Sequence, residues 1–348
     1  MKYILTNPSF NFISSLLLRT PGSNIVDVRV AVSRVVQPLD WSHTAYRLQT
    51  QGDTVNVTFD RPDNWHQIQL EVIDSGHTPQ VQGGLNFYEQ LPEDAILQNL
   101  STKKIAFLGT ARDCASRLPS TLSKLGELTA LFAQSQIVVY ENDSKDGTDT
   151  LLATYAQQGT LTAIQETGIA TLLPLRTERL AYGRNRLLDF VLGGPSLDYV
   201  CWLDMDGLVD ARFSVNGFLS NFQNESAWDA VFPISTPLYY DIWALRDDVM
   251  CSGDVVWNSV HKYNAALSTT TTHAVVHQLA PGNIHGWVPV KSAFGGLGLY
   301  KFDMIGKGRY SGLQGNAEIC EHVPYHAGLI EAGARLYINP NCITNMVV

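Results

Sequence analysis

From residue 104 onward the apolar positions alternate between two periods. "KIAFLGTARD", "QIVVYENDSKDGT" and "DYVCWLDMD" are short apolar, β-branched or aromatic runs that end in polar loops, the pattern of strands buried on both faces. Between them, "LPSTLSKLGELTALFAQ", "DTLLATYAQQ" and "GRNRLLDFVLGGP" space their apolar residues as helices do, the last stopped by Gly193, Gly194 and Pro195. Such alternation predicts an α/β fold, a mostly parallel sheet flanked by helices with short loops at its C-terminal edge. Residues 25 to 82 follow another rule. "NIVDVRVAVSRVV", "TAYRLQT", "DTVNVTFD" and "HQIQLEVIDSG" are β-prone runs separated by turn residues such as Gly52, Asp53, Pro62 and Asp63, which predicts a small antiparallel β unit. "HTPQVQGGLNFYEQLPEDAILQNLSTKK" reads as a connector, and "STTTTH" at 268 to 273 as an exposed loop. The chain therefore divides into a β-rich accessory domain plus connector over 1–100 and an α/β domain over 101–348.

Composition narrows the function. The chain has 348 residues, 45% hydrophobic and 16% charged, which belongs to a globular chain rather than a disordered one. A net charge of −9 argues against a nucleic-acid partner, whose footprint is a basic patch. Cys114, Cys201, Cys251, Cys320 and Cys342 show no C-x-x-C spacing and are odd in number, so neither a zinc ribbon nor a disulfide framework is indicated and a reducing compartment fits. The stretch "MKYILTNPSFNFISSLLLRT" is a poor signal peptide, broken by Asn7, Pro8 and Asn11. No window approaches ~18 uninterrupted apolar residues, so no transmembrane span is read. The expectation is a cytoplasmic protein with a polar or anionic small substrate.

The strand "YVCWL" ends in Asp204 and Asp206. Alternate strand residues share a face, so the two carboxylates converge while Met205 turns away. Their repulsion is relieved by a hard cation, Mg²⁺ or Mn²⁺, that takes its other ligands from water and substrate phosphates. An Asp-rich turn would look the same in isolation. In "GTARD", Arg112 is suited to phosphate or a base carbonyl, or to a surface carboxylate. Glu141 and Asn142 stand at the next strand's end, where ribose or base would bind; Gly147 and Thr148 fit the turn and start of the following helix. Arg176, Arg179, Arg184 and Arg186 crowd the start of "RTERLAYGRNRLLDFVLGG", where the helix end is already partly positive. A diphosphate would resolve that conflict. Gly295, Gly296 and Gly298 permit close backbone approach to a flat ligand or mark a bulged strand. Glu321 is a candidate general base or ligand, His322 a candidate metal ligand, and Tyr239, Tyr240, Asp241, Trp243 and Arg246 suit either a sugar or a core edge.

Taken in order, "YENDSKDGT", "RTERLAYGRNRLLDFV", "DYVCWLDMDG", "SAFGGLGLYK" and "CEHVPYH" resemble metal-dependent glycosyltransferases of the GT-A fold, most nearly the capsule-associated α-1,3-mannosyltransferases and their bacterial relatives, over roughly residues 104 to 340. The resemblance implies a nucleotide-sugar donor at the C-terminal edge of the sheet, with residues 101–348 as the catalytic domain. Asp204, Asp206 and His322 would be the metal ligands, with Asp206 and Glu321 the catalytic carboxylates. Arg112, Glu141, Asn142 and Asp143 would hold the nucleoside, Arg179, Arg184 and Asn185 the phosphates, and Gly295 and Gly296 the sugar. Tyr240, Asp241 and Trp243 would face the acceptor. A glycan or glycolipid acceptor in surface polysaccharide synthesis is implied, which would put the enzyme at the inner face of a membrane without spanning it. "DMDG" is more acidic than the mannosyltransferase pattern, so sugar and stereochemistry do not carry over. The alternatives are a sugar nucleotidyltransferase, though "GTARDCASR" lacks its glycine-rich loop, and a non-catalytic carbohydrate-binding homologue.

Overall fold

The runs read as doubly buried strands form the centre of one large sheet. The computed structural model describes residues 2–7, 12–19, 25–33, 44–63, 65, 67–74, 82–87, 91–247, 279 and 286–345; Cys251 and the tract STTTTH lie outside them. By contacts the chain falls into two units, one of Met1–Gln90, Asn224–Ala227 and His285–Trp287, the other of Leu91–Gln223, Trp228–Ile284 and Val288–Val348.

The first unit contains β1 (Lys2–Thr6), β2 (Ile13–Arg19), β3 (Ile25–Ser33), β4 (Tyr46–Gln51), β5 (Thr54–Asp63), β6 (Gln67–Asp74) and β7 (Gln82–Phe87). They pair antiparallel in two sheets, β1-β6-β3 and β4-β5-β2-β7. Alternate residues Leu16 and Leu18, Val28 and Val30, Val55 and Val57, and Ile68 and Leu70 bury together as one core. The antiparallel β unit is as expected, but three strands were not read from the sequence. β1 and β2 lie in the stretch considered only as a leader, and β7 lies in the supposed connector. Each finds its partner far along the chain, β2 with both β5 and β7, so no local turn signal announces it.

In the second unit, α1 (Glu93–Leu100) leads into β8 (Lys104–Ala111), α2 (Leu118–Thr129), β9 (Gln134–Asn142), α3 (Thr148–Gln157), β10 (Thr162–Glu166), α4 (Ile169–Leu172), α5 (Arg176–Leu192) and β11 (Tyr199–Asp204). Then come α6 (Val215–Leu219), β12 (Ala230–Thr236), β13 (Val288–Val290), β14 (Leu297–Lys301), α7 (Phe302–Ile305), the short hairpin β15 (Leu313–Gln314) and β16 (Ala317–Glu318), α8 (His322–Glu331) and β17 (Leu336–Asn345). Among the described residues the sheet has eight strands in the order β10-β9-β8-β11-β14-β12-β17-β13. β10, β9, β8 and β11 run parallel, as do β12 and β17, whereas β14 is antiparallel to both its neighbours. The predicted α/β class, a mostly parallel sheet with helices and a preceding antiparallel unit, is the observed one.

Strand β11 is central because its side chains allow nothing else: Val200, Cys201 and Trp202 are fully buried and Tyr199 and Leu203 nearly so. Helix α5 lies on β8 and β9 with Leu187, Leu188 and Val191 in the core. Its approach is set by Gly183, where a Cβ would stand 2.5 Å from the Tyr140 ring of β9. That close seat brings the arginine-bearing half of α5 to the sheet's C-terminal edge. Among the described residues, no helix is long and apolar enough to cross a membrane, and Cys114, Cys201, Cys320 and Cys342 are free and buried.

Candidate functional site

The parallel strands β8, β9 and β11 end side by side, and their ends bound a cavity of about 250 Å³. β8 and its loop contribute Thr110, Ala111, Arg112, Asp113 and Cys114; β9 contributes Tyr140 and Asn142; α5 contributes Arg176, Arg179 and Leu180; β11 and its loop contribute Asp204 and Asp206. Of the residues singled out in the sequence, Arg112, Asn142, Arg176, Arg179, Asp204 and Asp206 therefore meet in one place.

Asp204 closes β11 and Asp206 stands in the bend that follows; both line the cavity while Met205 between them is buried, so the expected convergence is observed although the strand itself ends one residue after Leu203. Asp204 pairs in register with Thr110, and its N–H donates to the Gly296 carbonyl at 3.1 Å. That turn needs glycine: Gly295 and Gly296 have φ of +64° and +84°, and a Cβ on Gly296 would meet Leu208 at 2.5 Å and the Tyr240 hydroxyl at 3.0 Å. Asp206 itself is exposed to solvent. Desolvation by the cavity walls, then the charge of Asp204, push its carboxyl up to about 6. Paired carboxylate oxygens of this kind suit Mg²⁺ or Mn²⁺.

The opposite charge crowds the same cavity. Arg176 and Arg179 stand one turn apart at the start of α5, which has no side-chain cap. Arg179 donates to the Leu173 and Pro174 carbonyls at 2.8 and 2.6 Å, which fixes its guanidinium. Desolvation, then the charges of Arg112 and Arg176, hold Arg179 below the usual arginine range. Three guanidiniums and a helix N-terminus thus press on one another beside the paired acids.

Other predicted residues are placed differently. Glu141 is buried and its Oε1 accepts the Ser144 N–H at 2.8 Å. Asp143, at φ +55°, accepts the Gly168 and Ala170 N–H groups at 2.5 and 2.7 Å, bracing the start of α4. The Asn142 amide donates to it at 3.0 Å and is the largest cause that holds its carboxyl below the usual range. Asn185 exchanges hydrogen bonds with the Tyr310 backbone at 2.9 and 3.1 Å, tying α5 to that loop. Thr148 stands at the first helical position of α3, where its N–H and hydroxyl both donate to Asp146.

Arg184 is 2% exposed and grips two acids: Nη2 donates to Asp204 Oδ1 and Nε to Glu321 Oε1, both at 3.1 Å. Glu321 immediately precedes α8 and is buried. His322 is buried too, its ring stacked 3.9 Å from that of Phe294 and its Nε2 3.6 Å from Glu321 Oε1. Burial, then the Arg184 charge, hold it well below the usual histidine range, so it is neutral. Neither of its ring nitrogens hydrogen-bonds to a described residue. No group of three or more His, Cys, Asp or Glu side chains poised to hold a metal occurs among the described residues. Asp241 accepts the Gly295 N–H at 3.0 Å; burial foremost, with the charges of Asp204 and Glu321 adding, pushes it up to about 6. Tyr240 is raised by burial and then by Asp204, and Trp243 is half-buried against the core.

Thr110, Asp113, Cys114, Tyr140 and Leu180 line the cavity without having been singled out as site residues. Arg176 was legible from its place three residues before Arg179 on one helix face. Thr110 and Tyr140 required the strand register.

No family model matches the chain, and no curated protein does. Solved structures do. The mannosyltransferase PcManGT from Pyrobaculum calidifontis, in complex with GDP-Man and Mn²⁺, is 13% identical over 71% of this chain and 57% of its own, with a TM-score of 0.44. GalNAc-T7, with UDP, GalNAc and Mn²⁺, is 13% identical over 71% of this chain and 44% of its own, with a TM-score of 0.42. Glucosyl-3-phosphoglycerate synthase from Mycobacterium tuberculosis is 12% identical over 73% of each chain, with a TM-score of 0.38. This chain thus spans little more than half the length of PcManGT and less than half of GalNAc-T7.

Proposed function

We propose that the protein is a glycosyltransferase of the GT-A type, which moves a sugar from a nucleoside-diphosphate donor to a hydroxyl of a glycan or glycolipid acceptor. The observation that carries this reading is the shared cavity: Arg112, Arg176 and Arg179 with a helix N-terminus, beside Asp204 and Asp206 one residue apart. A diphosphate satisfies the first set and a divalent cation the second, and a metal-bound diphosphate satisfies both at once.

In the reaction the bond between the anomeric carbon and the diphosphate oxygen breaks, the acceptor oxygen bonds to that carbon, and its proton goes to a base. Asp204 and Asp206 would hold Mg²⁺ or Mn²⁺, and the ion would supply charge to the leaving diphosphate; His322, expected from the sequence as a further ligand, is buried against Phe294 and does not line the cavity. Arg176 and Arg179 neutralise the same oxygens, while Arg112 and Asn142 hold the nucleoside. Fixed cations of this kind favour charge that grows as the bond breaks. Glu321 and Asp241 both lie within electrostatic reach of Asp204 and are the two candidate bases. Tyr240 and Trp243 border the acceptor side.

Surface polysaccharide synthesis at the cytoplasmic face of a membrane is the setting we propose. Calorimetry with a panel of UDP- and GDP-sugars, with and without Mn²⁺, tests the assignment. Metal-dependent binding of one donor supports it. Sugar binding indifferent to nucleotide and metal identifies a carbohydrate-binding module instead.

A further inference from the structure

We propose that Arg184 is a positioning residue that sets Asp204 as a metal ligand by bridging it to Glu321, and that it takes no part in holding the diphosphate. The inference rests on the reading of Asp204 and Asp206 as metal-binding carboxylates. Positions 176, 180 and 184 lie one above another on α5, four residues apart. Arg176 and Leu180 line the cavity, but one turn deeper the chain is walled by the core, and Arg184 is 2% exposed. Its guanidinium carbon sits 4.7 Å from the Phe294 ring centroid, with Trp202 and Tyr310 at 6.0 and 5.9 Å.

That aromatic lining removes water from the pair, so the orientation of each bond is enforced. Nη2 occupies Oδ1 of Asp204, and the other oxygen of that half-buried carboxylate makes no hydrogen bond to a described residue. Nε meanwhile holds Glu321, which belongs to a different element, the start of α8. Burial opposes the charge on Arg184, yet Glu321 and Asp204 more than offset it, so the guanidinium stays protonated. Asp204, Asp206 and Glu321 would carry three negative charges; Arg184 reduces that to two, the complement of one divalent ion. A second consequence is geometric: α5, the end of β11 and the start of α8 meet at Arg184, so the orientation of the Asp204 carboxylate is held before any ion arrives.

The test is Mn²⁺ titration followed by electron paramagnetic resonance, with UDP or GDP present and absent, on the wild type, Arg184→Lys and Glu321→Gln. Lysine keeps the charge but cannot donate to two carboxylates in a fixed fork. Arg184→Lys is expected to weaken Mn²⁺ binding roughly 10- to 100-fold, the range for loss of a group that orients a metal ligand, while metal-free nucleotide affinity is unchanged. Glu321→Gln, which keeps an acceptor for Nε, is expected to weaken Mn²⁺ in the same direction and guards against a lysine variant that does not fold. Wild-type Mn²⁺ affinity in both variants overturns the positioning role, as does a loss of metal-free nucleotide binding in Arg184→Lys, which would make the side chain a phosphate ligand. A wild type that binds no Mn²⁺ with either nucleotide overturns the functional reading itself.

Discussion

At the scale of single residues, charge crowding tells function from packing. Asp206, exposed at the cavity, is raised to about 6 by the partial desolvation of the cavity walls and then by the charge of Asp204. Asp206→Ala is therefore expected to abolish donor-dependent transfer, and Asp206→Asn to raise the melting temperature of the metal-free protein while eliminating Mn²⁺ binding. Both follow from relieving the repulsion between the two carboxylates, which Arg176 and Arg117 offset only in part. Differential scanning fluorimetry beside a transfer assay checks the pair; a wild-type rate in Asp206→Ala would refute the metal site. Arg112 lines the cavity with its guanidinium 3.6 Å from Asp113. Arg112→Ala is expected to weaken nucleoside-diphosphate binding about tenfold or more by calorimetry, the loss of one or two charge-assisted hydrogen bonds.

At the scale of elements, α5 decides the site. Its N-terminal half brings arginines to the cavity, its middle brings Arg184 to Asp204, and its C-terminal half is core. All three depend on how closely it lies on β9. Gly183→Val places new carbons where the Tyr140 ring stands, so helix or ring must move. Overpacking of this kind costs about 1–3 kcal/mol. Urea unfolding of Gly183→Val is expected to read a loss in that range, with nucleotide affinity falling as well because Arg176 and Arg179 ride on the same helix. An unchanged midpoint would mean that α5 is not held at that distance. The turn at Gly295 and Gly296 works the same way at the strand end, since its carbonyl receives the Asp204 N–H.

At the scale of the molecule, buried histidines couple folding to pH. His326 is fully buried between Ser292 at 2.8 Å and Tyr300 at 2.7 Å, and burial with the Arg184 charge pushes it down to about 3. In the unfolded chain it titrates near 6.5. Between those values the unfolded chain binds a proton that the folded one refuses, so the stability from neutral His326 is complete above about pH 6.5 and lost as pH falls. Asp206 and Asp241, raised to about 6, act in the opposite sense, because the folded state takes up protons first. The histidine is therefore read by difference. His326→Gln, able to keep both hydrogen bonds, is expected to gain about 2 kcal/mol relative to the wild type between pH 7 and pH 5 in urea unfolding. A pH-independent difference would show that His326 titrates normally.

The α/β class, the antiparallel unit, the succession β8, α2, β9, α3, α5 and β11, and the two acids after Leu203 were legible because each is written in local period and composition, whereas β10 and α4, which intervene before α5, were not read. Buried strands exclude polar residues, so Asp204 and Asp206 announce themselves against Tyr199–Leu203. What local pattern does not carry is partnership across the chain. Strands β1, β2 and β7 became strands by pairing with distant segments, and β14 by lying antiparallel between β11 and β12. The division of labour among the arginines was decided the same way: one helix bears them all, but the depth of the core wall below residue 180 leaves Arg176 and Arg179 at the cavity and takes Arg184 to two carboxylates 20 and 137 residues away. Side-chain chemistry is a property of the residue, whereas the burial and the counter-charge that assign it a task exist only once the chain has closed on itself.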